Sequence, residues 1–152
     1  MSSLLDMEKG MSFEEKNTWV FAVVTVAAFA AYLVTILGRA QDVPLAEVPY
    51  VEAMLWTIGA TIVAAIVGRI VVAVAWPRDA DRSDQRDKEI YRFGEYIGQS
   101  LVVAGAGAAL VLAMAEVDHF WIANELYLAF VLSALLGSAA KLVAYRRGFQ
   151  PW

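Results

Sequence analysis

The sequence predicts an all-α, polytopic membrane protein of four transmembrane helices, and three observations predict it. Of 152 residues, 60% are hydrophobic and only 18% charged, more apolar than a soluble domain of this length; the mean hydropathy is +0.56. The apolar excess is gathered into four stretches, at about residues 18–38, 53–76, 97–115 and 120–145, each close to or above the roughly 20 residues that a helix needs to cross a hydrocarbon core about 30 Å thick. Lysine and arginine are gathered beside one set of span ends. A greasy soluble bundle would alternate apolar and charged helix faces, whereas the first and third stretches carry almost no charge all round.

The elements follow in order. "MSSLLDMEKGMSFEEKNTW" is acidic and mixed in charge, with no A-x-A site soon after, so the first run is expected to be a permanent span and not a signal peptide. Span one, "TWVFAVVTVAAFAAYLVTILG", has only Thr25 to soften its middle. Span two contains "AAIVGRIVVAVAW", where Arg69 lies seven residues before Trp76, about 10 Å along a helix. Its side chain can therefore run along the apolar stem and reach the headgroups as a snorkelling anchor; an ion pair or a polar face inside a dimer are the other readings. The link at 77–96, "PRDADRSDQRDKEIYRFGEY", begins at a proline and carries eleven charges. Asp81 or Ser83 can cap a helix there, and Ile90, Phe93 and Ile97 recur at helical spacing. A polar helix is expected to emerge before span three, lying along the interface or against a soluble partner. Trp19, Trp76, Trp121 and Tyr145 fall at span ends, as interfacial aromatics do.

Nine basic residues, namely Lys9, Lys16, Arg78, Arg82, Arg86, Lys88, Arg92, Arg146 and Arg147, flank one set of span ends, and only Arg39 flanks the other. The positive-inside rule then puts both termini and the 77–96 link in the cytoplasm. The expected location is a prokaryotic cytoplasmic (inner) membrane, crossed several times.

Shifting the chain by 72 residues lays Glu15 and Lys16 on Asp87 and Lys88, Trp19 on Tyr91, Phe21 on Phe93, and Arg69 on Lys141. Two similar tandem helical hairpins are expected, related as parallel repeats are about an axis along the membrane normal. Small residues recur every four positions: Ala60, Ala64 and Gly68; Ala104 and Ala108; Gly105 and Ala109; Ser133 and Gly137. Such stripes let helix backbones approach closely in lipid and should face the bundle or a second subunit.

Chemistry is sparse. The chain has no cysteine, which excludes disulfides and thiolate chemistry. The single histidine, His119, stands in "EVDHFWIANE" with Glu116, Asp118 and Glu125. This cluster reads as a polar turn, with cation binding or proton movement as the sharper alternative. Glu125 is expected just below the headgroups, paired with the turn residues or Thr57, or carrying protons. Small multidrug exporters also have four short helices, but they carry an intramembrane glutamate in the first, where this chain has none. No acid and base are paired by spacing, so an enzyme is not expected, and no cofactor. The interspersed acids cancel the basic link, so no nucleic-acid partner is expected.

Asp84, Arg86, Asp87, Ile90 and Gly94 match a pattern D-x-R-D-x-x-I-x-x-x-G/A before a helical hairpin. Over about residues 84–149 the chain resembles an uncharacterised family of small prokaryotic four-helix integral membrane proteins. The resemblance implies a small inner-membrane protein associated with a transport system or a membrane-linked regulator; it carries no activity and no site residue. The expected function is that of an accessory or structural membrane protein contacting lipid and either a second copy or a partner protein. The alternative is a small homo-oligomeric transporter or channel, with Glu116, His119 and Glu125 at the outer mouth and Arg69 or Lys141 at the inner one.

Overall fold

The computed structural model describes residues 10–80 and 84–148. Of the residues singled out above, Lys9, Asp81, Arg82 and Ser83 lie outside them. The protein is a multi-pass, all-helical membrane protein with no strand among the described residues. It is built of four long helices: α1 Phe13–Arg39, α2 Val51–Ala75, α3 Gln85–Met114 and α4 His119–Arg147. At 1.5 Å per residue the shortest, of 25 residues, is about 38 Å long and the longest, of 30, about 45 Å, so each can cross a bilayer core of about 30 Å. Helices are the natural solution here because every backbone donor and acceptor must find a partner within the chain once water is absent.

Side chains cap the starts of α1 and α3. Ser12 caps α1, its hydroxyl accepting from the Glu15 amide at 3.1 Å. Asp84 caps α3 through a reciprocal pair: Asp87 N–H donates to the Asp84 carboxylate at 2.8 Å, and Asp84 N–H donates to that of Asp87 at 3.2 Å. The polar helix expected before span three is therefore the first three turns of α3 itself, continuous with the span. The α1–α2 connection is tied back by Arg39, which donates to the Pro49 carbonyl at 2.8 Å. The α3–α4 connection is a tight turn in which Glu116 takes the left-handed conformation, φ 54°, before Asp118 leads into α4. With a shift of 72, the start of α1 at Phe13 falls on the start of α3 at Gln85, and the end of α2 at Ala75 falls on the end of α4 at Arg147. The N-cap pairs Ser12/Glu15 and Asp84/Asp87 coincide as well.

Packing runs α2–α1–α4–α3, with α3 and α4 sharing the most extensive interface and α2 held chiefly by α1. The α3–α4 seam is made by absent side chains. Ser133 donates its hydroxyl to the Gly98 carbonyl at 2.7 Å, and a Cβ on Gly98 would stand 2.9 Å from the Ser133 carbonyl oxygen. A Cβ on Gly137 would meet the Gly94 oxygen at 3.0 Å, and one on Gly105 would strike the Ala129 methyl. Of the stripes expected from sequence, Gly105/Ala109 and Ser133/Gly137 face this seam and Gly68 faces Val20 of α1. Ala60 points outward instead, and so do Ala104 and Ala108, which the register that buries Gly94 and Gly98 turns away.

Near the two hairpin connections the bundle closes over an aromatic core of Tyr32, Ile36, Val48, Phe120, Tyr127 and Val131. The Tyr32 and Tyr127 rings meet edge to face at 4.9 Å. Elsewhere large apolar side chains stand outward: Trp56 is 73%, Val34 72% and Val74 74% exposed. A soluble monomer does not present faces of this extent, whereas lipid covers them without cost.

Gly98→Leu, which must push α4 away, is expected to lower stability in detergent by about 1–3 kcal/mol. Gly107→Ala, whose Cβ meets nothing within 4 Å, should leave the thermal melt unchanged or raise it slightly; equal melts for the two variants would show that the seam does not hold the hairpin.

Candidate functional site

Ion pairs of the described residues gather where the start of α1, the start of α3 and the end of α4 meet. Three pairs fasten helix to helix there. Arg146 Nε donates to Glu15 Oε1 at 3.0 Å, bringing the end of α4 onto the first turn of α1. The Glu15 side chain is 6% exposed, and a carboxylate so buried requires a charged or donating partner. Tyr145 donates its phenol to Asp87 Oδ1 at 2.9 Å, so the residue expected as an interfacial anchor instead serves the α3 cap. Lys16, also buried, lays its ammonium 4.0 Å from the centre of the Trp76 ring, a cation–π contact across α1 and the end of α2.

Inside this ring of contacts lies an open cleft of about 440 Å³ lined from all four helices, with Glu14, Asn17, Arg69, Tyr91, Glu95 and Lys141 among its polar groups. Lys141 is held firmly: Nζ donates to Glu95 Oε1 at 2.8 Å and sits 4.2 Å over the Tyr91 ring, with the side chain 13% exposed. Arg69 is held loosely. Its nearest carboxylate oxygen, on Glu14, is 3.8 Å away and its side chain is 63% exposed, so most of its five N–H donors remain available. Asn17 is the anomaly, because both side-chain polar atoms are buried and neither has a hydrogen-bond partner. Unpaired buried amides cost free energy and mark sites where something else binds.

Arg69 and Lys141, placed in register by the 72-residue shift, thus line one cleft and each faces a carboxylate, Glu14 and Glu95. Arg69 makes a weak ion pair on a cleft wall, one of the readings open from sequence. Sequence reading did not single out Glu14, Asn17, Asp87 or Glu95 as site residues. The same shift signalled Asp87 alone, laying Glu15 on it, the two buried carboxylates that both engage the end of α4.

The other expected cluster does not assemble. Glu116 is in the connecting turn and His119 opens α4, both exposed, and no three His, Cys, Asp or Glu side chains among the described residues come together as metal donors. Glu125 pairs neither with the turn nor with Thr57, whose hydroxyl meets that of Tyr127 at 3.0 Å. The geometry is the reason: Glu125 faces α3, its Oε1 3.4 Å from where a Gly105 Cβ would stand, and its Oε2 is buried without a partner. Asn124, one residue earlier on α4, accepts the Tyr32 phenol and donates to the Phe120 carbonyl at 2.8 Å.

Compared with known proteins, the chain matches no family model, no curated protein and no solved structure. The likeness over residues 84–149 therefore rests on its few residues, and nothing is transferred through it.

Tyr145→Phe leaves the buried Asp87 carboxylate short of a donor and is expected to destabilise the protein by about 1.5–3 kcal/mol, as loss of a hydrogen bond to a charged group does. Tyr96→Phe, on an exposed residue, is the control. Denaturant titration in detergent measures both, and coincident curves would remove Tyr145 from the fastening of α4 to α3.

Proposed function

We propose that this is a non-enzymatic accessory protein of a prokaryotic cytoplasmic membrane, with both termini and the α2–α3 link inside, that works by holding another membrane or cytoplasmic protein. What carries the reading is the exposed face of the first turns of α3. There Arg86, Lys88 and Arg92 stand outward beside Tyr91 and Tyr96, which are 54% and 76% exposed. Exposed tyrosines among arginines are the composition of binding surfaces, not of idle solvated helix. The basic residues beside this set of span ends support the orientation. The outward stripe of Ala104 and Ala108 offers a face for a second copy or for a partner's helix.

Two measurements test this. Because the chain lacks cysteine, single cysteines report topology directly: an impermeant maleimide applied to intact cells should label Asp42→Cys and leave Lys88→Cys untouched, and the reverse pattern would invert the orientation. Native mass spectrometry of protein extracted in lipid discs should find a stoichiometric partner, lost on the double charge reversal Lys88→Glu with Arg92→Glu. A chain free of partners in both forms would oppose the accessory role.

A second reading, transport of an ion or small solute by a homo-oligomer, draws on the unpaired Glu125 oxygen in the α3–α4 seam. Within one chain the Gly98–Ser133 and Gly105–Ala129 contacts close the way from Glu125 to the Arg69 cleft, so a path would have to run between subunits. Flux in reconstituted vesicles that is abolished by Glu125→Gln would favour it, and absence of flux for protons and common ions would count against it.

A further inference from the structure

The Arg69 cleft does not end at its polar groups. It shares Phe21, Glu95, Ser138 and Lys141 with a second cleft, of about 480 Å³, that continues between α3 and α4 with α1 on its flank, along Val102, Phe130 and Ala134. From Lys141 back to Phe130 is eleven residues of α4, about 16 Å, and along that length the wall turns from charged to apolar. Gly94, Gly98 and Gly137 form part of its floor, because side chains there would fill the trench as well as part the helices. A cleft with its charged groups gathered at one end and Val102 and Phe130 at the other, on a helix bundle whose flanks face lipid, suits one glycerophospholipid.

We propose that this joined cleft binds a single glycerophospholipid bearing both phosphate and amine in its head group, of the phosphoethanolamine type. Arg69 supplies a planar fork of donors suited to a phosphate, and it is free to do so because its contact with Glu14 is long. Asn17 supplies the amide donor that otherwise stays buried and unsatisfied. Glu14 and Glu95 supply acceptors for an ammonium. With two cations and two carboxylates the lining is balanced in charge, which suits a zwitterion better than an anionic head group. Phe21, Val102 and Phe130 receive an acyl chain. The cleft adjoins the proposed partner face and shares Tyr91 with it, so the two assignments are told apart by their readouts, lipid retention here and partner retention there.

The test is lipid retention. The protein is reconstituted in discs of equal phosphatidylethanolamine and phosphatidylglycerol, released into mild detergent and weighed by native mass spectrometry. Wild type should keep one phosphatidylethanolamine per chain. Arg69→Ala should lower retention about tenfold, the loss of one charge-assisted contact, while Arg69→Lys keeps part of it and Val74→Ala, on an outward face, keeps all. Asn17→Leu gives an arm that misfolding cannot mimic: removing an unpaired buried amide should raise the thermal melt of delipidated protein while lowering lipid retention. Equal retention by wild type, Arg69→Ala and Asn17→Leu would overturn the site, and preference for phosphatidylglycerol would overturn the head-group assignment. Release of the lipid by excess inorganic phosphate would assign the cleft to a soluble anion and overturn the lipid. None of these outcomes depends on whether a partner protein co-purifies.

Discussion

The close approach of α3 and α4 at Gly94, Gly98, Gly105 and Gly137 is the constraint on which the rest of the structure depends. Lipid removes the hydrophobic drive that presses helices together in water, leaving dispersion contacts and the occasional hydrogen bond. Dispersion falls steeply with separation, so a seam that admits backbone against backbone holds where one of leucines would have no advantage over lipid. The Ser133 to Gly98 hydrogen bond forms only because no side chain stands between them. Once α4 is fixed on α3 in this register, its other face is fixed too. Tyr127 and Asn124 then turn toward α1 and α2, and Tyr145 and Arg146 reach Asp87 and Glu15.

The two ends of the bundle use different chemistry for the same task. Near the hairpin connections, stacked and edge-on rings of Phe29, Tyr32 and Tyr127 fill the space, with phenols finding Asn124 and Thr57. At the opposite end, charges replace rings, and each buried ion is matched across helices: Glu15 to Arg146 and Asp87 to Tyr145. Such pairs add little net stability over apolar packing of equal volume, yet breaking one leaves a buried charge alone. They therefore act as register pins. The cleft lies between these pins and the apolar trench, and its loosely held members, Arg69 and Asn17, are conspicuous because their neighbours are so fully engaged.

The agreement under a 72-residue shift of the starts of α1 and α3 and of the ends of α2 and α4 bears on the same division. Equivalent caps at Ser12 and Asp84 set α1 and α3 at matching positions, and the equivalent ends of α2 and α4 bring Arg69 and Lys141 to one cleft. The halves are not used alike. Ala22, Val26, Leu33 and Thr35 of α1 stand where α3 has its glycines, so α2 meets α1 less extensively than α4 meets α3. The two hairpins differ in packing, α3 and α4 sharing a more extensive interface than α1 and α2.

The sequence by itself determined the number of helices, their antiparallel order and the all-α membrane class, because hydrophobic length against bilayer thickness is a one-dimensional property. It also determined the polar run-in to α3, the turn at Glu116 to Asp118 and the pairing in register of Arg69 with Lys141. It could not determine which small-residue stripe faces inward. Ala104/Ala108 and Gly105/Ala109 are indistinguishable by spacing, and only the rotation set by Gly94 and Gly98 against α4 chooses between them. Nor could it join Glu14 to Arg69 or Glu95 to Lys141, or leave Asn17 and Glu125 without partners. Those are contacts between residues tens of positions apart, decided when four tilted helices settle on their closest approach.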